Sequence, residues 1–177
     1  MLLMNFEEKT AKKNYIYKGK ILSLRKDDVT LYDGRSAVRE IIEHNGGSAI
    51  LCVKEGKVLL IRQFRYAYHK TVVEIPAGKL NAGEAPDIAA IRELEEEGGI
   101  KAERVKKLFE IYPSPGYTEE IVYIFLAEGL TDTATHFDDD EFITPEWKDK
   151  EEVKKMIESG EICDAKSLVA LLWWINN

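Results

Sequence analysis

Residues 78–100 read GKLNAGEAPDIAAIRELEEEGGI, and the rest of the chain is best read outward from them. Pro86 suits a first helical turn and Gly98-Gly99 supply a stop, so the sequence predicts a helix over 86–97. At about 100° per residue, Leu94, Ile91 and Ile88 fall on one arc, expected to dock on a sheet. Glu93, Glu96 and Glu97 fall on a separate arc around the small Ala89. Carboxylates one turn apart repel, and near a helix C-terminus they also oppose the macrodipole. A segment that breaks two local rules at once points to function. A divalent cation relieves both conflicts, and hard oxygen ligands suit Mg²⁺ or Mn²⁺. The plain alternative is an acidic, solvated helix face.

Strands are expected on both sides of this helix. Upstream, YIYKGKILSL, DVTLY and SAVREIIEH are rich in β-branched and aromatic residues, and Asp33-Gly34 signals a hairpin turn. SAILCV, KVLLIRQFRY and TVVEIP follow, the last running into the glycine-bounded loop AGKLNAGE. Downstream come VKKLFEIYP and IVYIFLAEGL, then a polar loop over 131–141 and two C-terminal helices, EEVKKMIESG and AKSLVALLWWI. This order predicts an α+β or layered α/β fold.

The chain has 177 residues, 45% of them hydrophobic, and a net charge of −7. That suffices for a core without disulfide or metal staples and disfavours disorder. It also argues against a general nucleic-acid binder. The charge is uneven: residues 1–73 carry 14 bases against 8 acids, 74–97 carry 2 against 7, and 132–152 carry 2 against 9. Cys52 and Cys163 are too few for a disulfide framework. The N-terminus lacks the order of a secretory signal, and no apolar run is long enough for a membrane span, so a cytoplasmic location is expected. His44, His69 and His136 have no metal-ligand spacing and read as surface or structural residues.

Gly78, Glu84, Arg92, Glu93, Leu94, Glu96, Glu97, Gly99 and Ile100 have the spacing G-x5-E-x7-R-E-U-x-E-E-x-G-U, with U apolar. Seven fixed residue types at about 7% each coincide about once in 10⁸ windows, which decides against the plain reading. The segment resembles the Nudix box. That resemblance implies an α/β/α sandwich with a mixed β-sheet, the box forming loop–helix–loop, and an N-terminal antiparallel β-region. It divides the chain into residues 1–44, expected to form a dimer, and a hydrolase domain over 45–177. It implies two or three Mg²⁺ or Mn²⁺ ions held by Glu93, Glu96, Glu97 and the carbonyl of Ala77. Arg92 would orient the glutamates, Glu84 would support it, and Gly78 and Gly99 would shape the loop. Clustered divalent ions neutralise a diphosphate and lower the pKa of a bound water, so no covalent nucleophile is needed.

Other segments resemble the ADP-ribose pyrophosphatase branch: VVEIPAGKL, RQFRYA, Pro115 sixteen residues after Gly99 in YPSPGYTEE, the acidic DDDEF and the AKSLVALLWWI end. The branch implies hydrolysis of ADP-ribose to AMP and ribose 5-phosphate. Arg39, Arg62 and Arg65 become candidate diphosphate or ribose contacts, for which arginine forks are suited; strand-surface ion pairs are the alternative. Pro115 would shape the loop at the ribose end, and Glu120 is a candidate active-site carboxylate. The general base would come from Asp138, Asp139, Asp140 or Glu141; Glu141 is favoured as the one glutamate, with Asp139 the match if the loop aligns differently. Tyr15, Tyr17 and Tyr32 are candidates to stack on adenine. N-terminal strands would exchange across a homodimer. Another nucleotide sugar such as GDP-mannose is the nearest alternative substrate, and a non-catalytic sensor on the same fold the alternative class.

Overall fold

Alternation along the strands shows how the chain layers. In the segment after Gly46, neighbouring residues point into two different cores: Ala49 and Leu51 into one, Ile50 and Cys52 into the other. Val58 and Leu60 likewise oppose Leu59. Strands buried on both faces need a layer of helix on each side. The computed structural model describes residues 5–137 and 142–177. The chain forms two compact units: 1–45 with 114–120, and 46–113 with 121–177.

The first unit is an antiparallel sheet of β1 (Lys9–Lys12), β2 (Tyr15–Lys18), β3 (Leu22–Thr30) and β4 (Ser36–His44). β3 is central: β1, β2 and β4 all pair with it. The hairpin from β3 to β4 turns at Gly34, whose φ of 88° favours glycine. Residues 114–120 join this unit through Ile42, whose amide donates to the Tyr117 carbonyl at 2.8 Å.

The second unit runs β5 (Gly47–Leu51), β6 (Val53–Lys54), β7 (Lys57–Arg65), β8 (Lys70–Glu74), β9 (Ala77–Lys79), α1 (Pro86–Gly98), β10 (Ile100–Ile111), β11 (Val122–Asp132), β12 (Ile143–Asp149), α2 (Lys150–Glu158) and α3 (Ala165–Ile175). One sheet has the order β10-β11-β5-β9, with β11 parallel to β5 and the other pairs antiparallel. The other has the order β12-β7-β6, with β8 also on β7. Leu94 and Ala90 of α1 pack with Ile50, Leu59 and Phe125; Val153, Met156 and Leu171 of α2 and α3 pack with Leu51, Leu60 and Ile124. This is the mixed-sheet α/β/α arrangement that the resemblance implies.

Three local expectations change. β12 lies where no strand was expected, because Pro145 and its charged neighbours obscure it; the strand is at the sheet edge, where proline is tolerated. AGK, read as loop, is a short strand on β5. On α1, Ile88 is 55% exposed whereas Glu93 and Glu97 are buried. The docked arc is therefore Ala90 and Leu94, and the acidic arc faces the protein.

Candidate active site

α1 starts at Pro86 and ends at Gly98, and Gly99, with a φ of 62°, caps it in the left-handed region with its amide on the Glu95 and Leu94 carbonyls. The helix carries Arg92, Glu93, Glu96 and Glu97, and the preceding β9 carries Ala77 and Gly78. Glu97, 2% exposed, accepts the Ala77 amide at 2.8 Å. The Glu93 carboxylate lies over Gly78, in space that any Cβ there would fill.

Arg92 is the hub of this cluster. Its Nε and Nη2 hold both oxygens of Glu84 at 2.8 and 3.0 Å. Its Nη1 donates to Glu93 at 2.7 Å and to Glu96 at 2.8 Å. Nη2 also reaches the Lys79 carbonyl at 3.2 Å, tying the helix to the loop entrance. Glu84 in turn accepts the Asn81 amide at 2.9 Å. The Arg92 bonds and that amide hold the Glu84 carboxyl down at about 2. Arg92 itself is raised, first by its bonds to Glu84 and then, against burial, by Glu93 and Glu96. One guanidinium thus faces three carboxylates, Glu84 from the loop and Glu93 and Glu96 from the helix, where Glu97 follows on the same turn.

The chain has counterparts among known proteins. The family model of the NUDIX domain matches residues 43–169. The chain belongs to the Nudix family. An ADP-ribose pyrophosphatase of Bacillus subtilis (strain 168) is 43% identical over 172 residues, covering 96% of this chain and 93% of the relative. A methanol dehydrogenase activator of Bacillus methanolicus is 38% identical over 169 residues, covering 94% and 91%. A crystal structure of an ADP compounds hydrolase superposes with a TM-score of 0.84, covering 98% of this chain and 97% of that one; at 18% identity it speaks for the fold.

The other candidate residues are divided between the two units. Arg65 on β7 grips Glu74 with Nε and Nη2 at 2.6 and 2.8 Å, and the field of Glu97 also reaches it. Arg62, on the same strand, pairs with Glu146 at 2.8 Å and Glu161 at 2.6 Å. In the first unit, Arg39 pairs with Glu8, Glu120 stands 3.5 Å from His44 Nδ1, and Pro115 lies in the returning segment 114–120. Tyr15 donates to Glu43 at 3.0 Å, Tyr17 is exposed and Tyr32 packs edge-on against Phe6. His69 caps a short 3₁₀ turn, and the His136 amide donates to the Glu96 carbonyl at 2.9 Å. Glu141, with Asp138, Asp139 and Asp140, lies outside the described residues.

Among the described residues, no three His, Cys, Asp or Glu side chains stand together as a ready metal cage. Arg92 accounts for this in part, since it draws Glu93 and Glu96 toward its own Nη1. Glu74, the buried partner of the candidate Arg65, is a carboxylate that the motifs do not single out. A lone glutamate in the apolar run VVEIP is a signal in itself, since a carboxylate in a buried strand needs cations.

Proposed function

We propose that this Nudix chain hydrolyses the pyrophosphate bond of ADP-ribose, giving AMP and ribose 5-phosphate, with Mg²⁺ or Mn²⁺ as cofactor. The observation that carries the reading is the intact glutamate set on α1, organised by Arg92, in a chain 43% identical along nearly its whole length to an ADP-ribose pyrophosphatase. Related nucleoside diphosphate sugars, GDP-mannose among them, are the alternative substrates.

The residues fit a divalent cation by the chemistry of their donors. Glu93, Glu96 and Glu97 supply hard oxygens, the Ala77 carbonyl can add another, and the negative charge of the cluster exceeds what Arg92 neutralises. When bound, such ions neutralise the diphosphate and acidify a water. The chain's own residues do the rest. Arg92 orients Glu93 and Glu96, the Ala77 amide fixes Glu97, and Arg65 offers a guanidinium to an anionic substrate. Glu141 takes the proton from the attacking water, with Asp139 the alternative.

The same reading makes the protein a homodimer with exchanged N-terminal strands, working in the cytoplasm. The exposed Ile16, Tyr17 and Ile21 of the first unit support the dimer. Among the described residues no helix is long and apolar enough to cross a membrane.

The deciding experiment offers ADP-ribose, GDP-mannose and UDP-sugars with Mg²⁺, and reads phosphomonoester products after phosphatase treatment. ADP-ribose is expected to lead in kcat/KM. Preference for a guanine or uridine sugar by tenfold or more overturns the substrate. No turnover of any of them overturns the activity.

A further inference from the structure

Glu74 is 2% exposed, yet two cations hold it. Arg65 takes both oxygens from one side, and Lys166 of α3 contacts Oε2 from the other. Lys166 is balanced in turn by Asp164 at 3.0 Å. Asp164 caps α3, accepting the Ser167 amide at 2.9 Å and its hydroxyl at 2.6 Å. Ser167 Oγ accepts the amide of Ile75, the residue after Glu74, at 2.9 Å. The charges alternate along this chain: Arg65, Glu74, Lys166, Asp164. The Arg65 end is the most open, its side chain 38% exposed against 3% for Glu74, 13% for Lys166 and 22% for Asp164.

A bidentate arginine already satisfies a buried carboxylate. A second, half-buried cation on the same group therefore calls for a reason beyond neutralising it. Burial opposes ionisation of Glu74, but the Arg65 bonds and the Lys166 charge outweigh it and hold the carboxyl down at about 2. The two Glu74 bonds hold Arg65 in one orientation, and because Lys166 takes part of the same carboxylate, the Arg65 charge is only partly offset.

We propose that Lys166 is a positioning residue: by sharing Glu74 it leaves the Arg65 guanidinium anchored through Nε and Nη2 yet electropositive toward the anionic diphosphate of the substrate. The inference rests on the proposed function, in which Arg65 meets an anion. It assigns to α3, outside the Nudix box, a part in substrate affinity.

The test compares the parent with Lys166→Met and Lys166→Arg, reading kcat and KM for ADP-ribose and the thermal midpoint of each. Lys166→Met is expected to raise KM roughly tenfold while kcat stays within about threefold, because uniform binding is what weakens. Lys166→Arg, which keeps the charge, is expected to restore KM to within about threefold of the parent. An unchanged KM in Lys166→Met overturns the role. So does a fall in kcat and thermal midpoint that the arginine variant fails to rescue, since that marks a purely structural lysine. If Lys166→Met does not fold, Lys166→Gln carries the same comparison. A parent that turns over no nucleotide sugar overturns the proposed function and this role together, whereas an active parent with an unaffected variant overturns this role alone.

Discussion

Gly78 and Glu93 compete for one space: a Cβ on residue 78 would overlap the carboxylate that Arg92 holds at 2.7 Å. The obstacle is the far end of a flexible side chain, so Gly78→Ala can be accommodated by swinging Glu93 aside. The expected outcome is a thermal midpoint within a few degrees of the parent and a loss in kcat of about 100-fold, the scale seen when groups that orient metal ligands are lost. Steady-state kinetics beside a thermal melt checks it. A variant with parental kcat would show that the position of Glu93 is immaterial.

Glu97→Gln keeps an oxygen to accept the Ala77 amide but removes the charge. Its fold is expected to persist, with Mg²⁺-dependent turnover down at least about 100-fold. Chelation of the parent with EDTA is expected to abolish activity and added Mg²⁺ to restore it. Equal rates in Glu97→Gln and the parent would remove the metal role from this residue.

Arg92→Ala leaves Glu84, Glu93 and Glu96 facing one another without their shared cation. A loss of about 1–3 kcal/mol in chemical denaturation is expected, between the values for exposed and buried ion pairs. Arg92→Lys should recover only part of it, because one ammonium cannot reproduce a fork that reaches three carboxylates and the Lys79 carbonyl.

Glu84 and Glu74 both ionise near 2 in the folded protein, below the ordinary carboxylate range. A depressed folded pKa adds stability above the unfolded value, and that stability drains away as pH falls through the folded one. Stability is therefore expected to drop between about pH 4.5 and 2. Glu84→Gln should flatten that slope in denaturation midpoints taken at several pH values. An unchanged slope would mean that the Arg92–Glu84 pair contributes nothing to acid stability.

The general base is separable by two substitutions. Glu141→Gln is expected to lower kcat about 100-fold or more, the range for a lost general base, with Asp139→Asn sparing it. The reverse pattern would transfer the role to Asp139.

What the sequence disclosed follows the range of the forces involved. The bounds of α1 were legible because Pro86, Gly98 and Gly99 act locally. The spacing of the glutamates was legible because one helix turn brings them together. The burial of Glu93 and the exposure of Ile88 were not, since they depend on what packs against the helix. The partners of Arg62 and Arg39 were hidden too: Glu161 lies 99 residues from one, and Glu8 lies 31 from the other. β12 escaped notice because an edge strand tolerates the proline that a central one forbids.

The contact between Ser167 and Ile75 spans 92 residues. During synthesis, the glutamate-bearing helix leaves the ribosome long before the residue that secures the strand ahead of it. Until α3 has been made, Glu74 has Arg65 but not Lys166 to pair with. Closure of so long a loop is a late and entropically costly folding event. Docking of α3 thus completes the polar network around Glu74.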